Sequence, residues 1–429
     1  MLSNRPQSRM QEMRLGPVVH ARTWTKRCER ACWLFLILLS SVPITAQTDA
    51  SPLVEIRSEL EQLRAEAPRH DETRGASARL TVIKHQLRDW VESHLGEIPS
   101  DPNGDDGADL ASAARMNAEL KRAHLFRESD APDTDDRWSA IGFLGPVRLE
   151  YKPRQAYLLL QTSVEVYCGF DESAYLFRWQ DGHWKRIWET EQNTYTKEGY
   201  AVQYIRAVLV SPPFNEGSPH VLTLGTEPWC SSNWHDVYVR LWNVSPSGEP
   251  KLLLDKSEWA FLGAHDIPIQ GSVGRDDALI EYTIGSIDTE VFSREAVLHY
   301  SIKGDNVERT DPVVLGPRDF VEEWLGEPWE RSRLRSQPSA RAVLKKAHQD
   351  TGRDEFQPTR HCRTPDLWQV GLGSIDGKKA PAYYLVRWRP PYHFTMIRKS
   401  QQPSPDCTEI DPAADDENRT LFPVQDWRE

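Results

Sequence analysis

The feature that most constrains this chain is a hairpin pattern that recurs four times. Tyr175–Trp179 meets a turn and returns as His183–Glu189, and Val237–Trp242 returns as Lys251–Asp255. Ala296–Tyr300 returns as Val307–Thr310, and Tyr383–Trp388 returns as His393–Arg398. In each, apolar and polar residues alternate with a period of two, the first strand ends on an aromatic, and breakers fill the turn. Gln180-Asp181-Gly182 is the plainest of these turns. Such a chain is mainly β, and 16 Trp against 5 Met agree with that. The spacing between successive aromatics suits four-stranded units, so the expectation is a propeller-like β-meander of repeated hairpins. A β-sandwich with long hairpins is the alternative.

Upstream the period is different. Leu53, Ile56, Leu60 and Leu63 fall at three- and four-residue steps, as do Leu80, Ile83, Leu87, Trp90 and Val91. A third stretch, about 108–127, places Leu110, Met116, Leu120 and Ala123 on one broad face. Residues 47–130 are therefore expected to form an N-terminal helical region. A β-rich repeat domain over 137–315 follows, then a helical insert plus C-terminal β hairpin over 316–405, and an acidic tail over 406–429.

Residues 1–46 have the order of a secretory signal peptide: seven basic residues against two acidic ones, an apolar run from Ala31, then Pro43 and Ala46. Cleavage is expected before Gln47. The run 31–46 falls short of the roughly 20 residues that span a bilayer. A membrane anchor at 31–46, and with it contact with a membrane, is the alternative if the leader is retained. The expected location is secreted or periplasmic. Without the leader, the 52 basic and 64 acidic residues fall by seven and two, and the formal charge moves from −12 to about −17. A surface so acidic excludes a nucleic-acid partner, which requires a basic face to neutralise phosphates.

Four cysteines follow the leader: Cys168, Cys230, Cys362 and Cys407. Cys168 and Cys230 precede Trp179 and Trp242 by nearly the same distance, which predicts the pairs Cys168–Cys230 and Cys362–Cys407. No two are spaced as CxxC, so no structural zinc is expected. The calcium-like run Asp101–Gly107 has Asp106 where the loop needs glycine, so no metal is expected there either. HExxH, P-loop and GxSxG motifs are missing, and no cofactor or catalytic residue is assigned.

The stretches between each of the first two cysteines and its hairpin carry the candidate site. Asp171 and Glu172 come from one; Trp229, Trp234, His235 and Asp236 come from the other. If the units are blades, both stretches reach one rim, where carboxylates, an imidazole and two indoles could bind a ligand. The sequence thus points to an exported, non-enzymatic β-rich binding or structural module with an unidentified ligand or protein partner. A secreted hydrolase acting on glycans or peptides through that rim is the alternative.

Overall fold

The structure, a computed structural model, describes residues 51–66, 77–98, 108–127, 141–152, 157–166, 169–192, 203–214, 218–226, 234–245, 249–261, 269–287, 293–310, 314, 316–350, 352–389 and 393–410. The leader, the run Asp101–Gly107, Cys168, Trp229 and Cys230 lie outside them.

Three helices open the described chain: α1 (Pro52–Glu66), α2 (Ser77–His94) and α3 (Ala108–Arg122). Their apolar stripes are buried, with Ile56, Leu60, Leu63, Leu80, Ile83, Leu87, Met116 and Leu120 all at 3% exposure or less. Leu110 is a correction, because it is exposed. The buried face of α3 is set by Ser112, Ala113, Met116 and Leu120. Leu110 lies about 100° around the helix from that face.

The remainder is mainly β, in four antiparallel sheets. The first contains β1 (Arg148–Lys152), β2 (Tyr157–Val166), β3 (Gly169–Gln180) and β4 (His183–Thr190), each strand beside the next in sequence. The second repeats that order with β5 (Tyr204–Val210), β6 (His220–Thr226), β7 (Trp234–Asn243) and β8 (Lys251–Phe261). The third repeats it again with β9 (Gln270–Val273), β10 (Asp277–Gly285), β11 (Ser293–Lys303) and β12 (Asn306–Arg309). Helices α4 (Pro317–Gly326), α5 (Trp329–Ser332) and α6 (Arg341–His348) precede the fourth. That sheet comprises β13 (Glu355–Phe356), β14 (Arg360–Cys362), β15 (Leu367–Gly373), β16 (Ala382–Arg389), β17 (His393–Ser400) and β18 (Cys407–Glu409). Its order is β17-β16-β15-β14-β18, with β13 also pairing to β15.

The four hairpins expected from sequence are β3–β4, β7–β8, β11–β12 and β16–β17. In the first, Asp181 (φ 50°) and Gly182 (φ 84°) both take the left-handed backbone of a two-residue turn whose twist matches the strands. Three of the four hairpins contain a register shift, at Leu176/Phe177, Leu241/Trp242 and Leu385/Val386. Each shift leaves an extra residue on the returning strand and increases the local twist.

The strands' two-residue period gives each sheet two apolar faces, and the sheets pack in chain order. Tyr175, Phe177, Leu158 and Leu160 of the first sheet join the core of α1–α3. Its opposite face, with Tyr157, Leu159, Ala174 and Leu176, meets Ile205, Val208 and Val221 of the second sheet. There Trp188 and Trp242 stand edge to face with centroids 6.4 Å apart. Leu222, Leu224, Val237, Val239 and Leu241 then pack on Ile280, Leu298 and Tyr300 of the third.

The third sheet reaches α4 through buried charges. Arg294 lies 3.1 Å from both Glu322 and Glu323, and Arg309 is 2.8 Å from Glu323. Glu322 also accepts from the Ile287 N–H at 2.7 Å. Phe320, Val321 and Trp324 of α4 complete the core under Val370, Tyr384 and Met396 of the fourth sheet. On the other face of that sheet, Cys362 and Cys407 face each other across β14 and β18 and form a disulfide. Strand pairing therefore continues into the stretch 406–429 expected to be a loose tail. The bond fastens β18 to the sheet edge.

Among the described residues no helix is long and apolar enough to cross a membrane. The disulfide is of the kind that persists in an extracellular or periplasmic environment.

Candidate functional site

Asp171 and Glu172 lie within β3 rather than in a loop. Gly169, Asp171, Glu172 and Ser173 are turn-formers by type, yet they continue the alternation of the strand. Asp171 and Ser173 fall on the face of Tyr175 and Phe177, and Glu172 falls on the face of Ala174 and Leu176. The two carboxylates therefore point in opposite directions.

Asp171 is fully buried, and its Oδ2 lies 2.9 Å from Nζ of Lys84, itself 1% exposed. Lys84 also donates to the Gln192 carbonyl, and the Gln203 N–H donates to Asp171 Oδ1 at 3.2 Å. A buried ion pair is tolerated only when its remaining donors and acceptors are matched, and these partners match them. The pair fastens α2 to the first sheet and to the segment that enters β5.

Glu172 faces the second sheet. Its Oε2 accepts from the Ile205 N–H at 2.7 Å, while its own N–H donates to the Gln203 carbonyl at 2.7 Å. Burial pushes its pKa up to about 7, against the pull of the Ile205 N–H and the positive charges of Arg148 and Arg206. At neutral pH this carboxyl is close to half protonated.

Beside Asp171 is a second polar group. Buried Glu191 accepts from the Tyr175 hydroxyl and lies 2.9 Å from His85 Nε2, with Arg88 at 3.8 Å. Burial first, and the Glu191 charge second, push the Tyr175 phenol well up. The Gln203 side chain donates to Thr190 Oγ1 at 3.1 Å and accepts from Arg240 at 3.3 Å, tying β4 and β7 to the same point.

The Glu172–Ile205 bond fixes the alignment of the first two sheets. Ile205 opposes Gly225, and Gly225 opposes Tyr238, so the start of β5, the end of β6 and the start of β7 share one end of the second sheet. The start of β3 reaches that same end. Asp236 is exposed there on β7, and Trp234 and His235 occupy the first two positions of the strand, opposite Phe261 and Ala260. Trp229 lies outside the described residues, as does the expected Cys168–Cys230 pair. The structure thus brings β3 and β7 to one end but turns Asp171 and Glu172 inward onto internal partners.

Lys84, His85, Glu191 and Gln203 are functional neighbours that no motif or spacing singles out. Lys84 does leave a trace: it falls four residues after Leu80 and three before Leu87, a lysine within an apolar stripe. Among the described residues no group of three or more His, Cys, Asp or Glu is arranged to hold a metal ion.

No family model and no curated protein matches the sequence. Solved structures similar to the chain include one described as "Glycoside hydrolase" and one described as a complex of BT0996 and RGII. Each is 10% identical, with a TM-score of 0.23 over 59% of this chain and 72% of the other. Backbones that superpose so poorly carry no argument about fold or function.

Proposed function

We propose that the chain is an exported, non-enzymatic binding module, with its ligand face at the end of the first two sheets where β3 and β7 begin. The observation that carries this reading is the internal engagement of Asp171 and Glu172. One is bonded to Lys84 and the other to the Ile205 N–H, so the two act as fasteners beneath the face rather than as an acid–base pair upon it. Trp234, His235 and Asp236 are the contact residues on β7, with Trp229 just before it.

In this reading the four sheets are successive units of a propeller-like meander, each ending in a repeated hairpin. Face-to-face packing in chain order supports it, and α1–α3 cover the outer face of the first sheet. The leader 1–46 is removed on export to a secreted or periplasmic location. Mass spectrometry of the exported chain is expected to give Gln47 as its first residue, whereas a chain retaining residues 31–46 would mean membrane anchoring.

A secreted hydrolase is the second reading, favoured by one property. Glu172, with a pKa near 7, could donate a proton at neutral pH. Glycan and peptide arrays, followed by turnover assays on the same compounds, separate the two. Binding without turnover, lost in Trp234→Ala, is expected. Turnover by the wild type that disappears in Glu172→Gln would replace the module with an enzyme.

A further inference from the structure

The end of α6 and the fourth sheet enclose a concentration of positive charge that the proposed ligand face does not use. Asp350, two residues beyond α6, lies 2.6 Å from Lys399 Nζ, 2.6 Å from Arg353 Nη1 and 3.3 Å from Lys379 Nζ. The three cations come from separate segments: β17, the turn after Gly352, and the β15–β16 connection. Gly352 has φ +81°, and a Cβ there would stand 3.3 Å from Lys379 Nζ, so the ammonium lies close over the backbone. Asp354, the next carboxylate along the chain, accepts from the Ile375 N–H at 3.0 Å.

Three cations against Asp350 leave two positive charges over. The Arg353 and Lys399 side chains are only 7% and 11% exposed, so water screens that excess poorly. A second, independent observation lies alongside. Tyr384 is fully buried, and its hydroxyl has no hydrogen-bond partner among the described residues. Tyr384 stands directly opposite Lys399 in the β16–β17 register, with Lys399 Nζ 5.9 Å from its ring centroid. Its hydroxyl also feels the charges of Arg353 and Asp350, and burial pushes its pKa up to about 12, which keeps it a proton donor.

We propose that Arg353, Lys379, Lys399 and the Tyr384 hydroxyl form a binding site for a doubly charged tetrahedral oxyanion. Phosphate and sulfate share this chemistry, either as free ions or as the ester terminus of a larger ligand. Two ammonium groups, one guanidinium and one hydroxyl match such an ion in charge and in the variety of donor directions. Asp350 gathers the cations and competes with the ligand for them.

The test is calorimetric titration and thermal melting of the full chain with inorganic phosphate, sulfate and methyl phosphate. Chloride at equal ionic strength is the control. Phosphate and sulfate are expected to bind and to raise the Tm where chloride does not. Lys379→Met, at a partly exposed side chain, is expected to weaken phosphate roughly tenfold and Tyr384→Phe severalfold, the loss typical of a charge-assisted contact and a neutral one. Asp350→Asn should bind more tightly, because it removes the competing carboxylate; if it fails to fold, the other two variants decide. Methyl phosphate binding as well as phosphate would assign the site to an ester terminus, and weaker binding would assign it to the free ion. Phosphate acting only as chloride does, or Lys379→Met binding as the wild type does, would overturn the proposal.

Discussion

Glu172 and Lys84 set the chemistry at the residue scale. The Glu172 carboxyl titrates near 7 in the folded chain and at 4.5 in a free side chain. A raised folded pKa contributes stability that is fully present below the unfolded value and is lost as pH rises through the folded one. Over the window from 4.5 to about 7, that loss amounts to about 3 kcal/mol. Glu172→Gln retains an acceptor for the Ile205 N–H and cannot ionise. In urea melts it is expected to match the wild type near pH 5 and to exceed it near pH 8. Equal pH dependence in both proteins would contradict this placement. Lys84→Met leaves Asp171 buried and unpaired, with an expected cost of about 3–5 kcal/mol. Lys84→Met/Asp171→Leu should recover part of that, since the unpaired charge, not the lost contact, dominates the cost. These residues also mark where the sequence stops being readable. Asp171 and Glu172 look like loop residues because the alternation of β3 shows only once its partner strands are known. Lys84 is visible as an anomaly in its stripe, but nothing in the sequence says which carboxylate it meets 87 positions away.

Elements were far more legible. Helices α1, α2 and α3 follow from three- and four-residue apolar spacing, and the four hairpins from two-residue alternation ending at an aromatic. Both signals are local, so no knowledge of the rest of the fold is needed. The first strands of each sheet and the helices around Trp329 and Arg341 were less so, because they are short or gain their order from packing. Helix α6, for example, buries only Leu344 and Ala347. The Asp181-Gly182 turn is held by a glycine at φ 84°, so Gly182→Ala should cost about 1 kcal/mol in thermal melts. Cys362–Cys407 closes a separation of 45 residues, and replacing both with serine is expected to cost up to about 4 kcal/mol in the chain-entropy picture. Reduction of the wild type should reproduce that loss. If neither treatment changes the denaturation midpoint, the bond does not hold β18 to the sheet.

At the scale of the whole molecule, the described chain is a succession of layers in sequence order: helices, three antiparallel sheets, then α4 beneath a fourth sheet. Each layer buries apolar residues on the next, and the Arg294–Glu322–Glu323–Arg309 group joins the third sheet to α4. That succession could not be read from hairpin spacing alone, because spacing says nothing about which faces meet. It also determines what the proposed ligand face can be. The Glu172–Ile205 bond places the starts of β3 and β7 together, while the inward carboxylates beneath them anchor two sheets and α2. Hydrogen–deuterium exchange on the protein bound to its best array ligand tests this most directly. Slower exchange concentrated at the start of β3 and over 227–238, with β9–β12 unchanged, is the expected footprint. Protection confined to the third or fourth sheet would contradict it and move the ligand elsewhere.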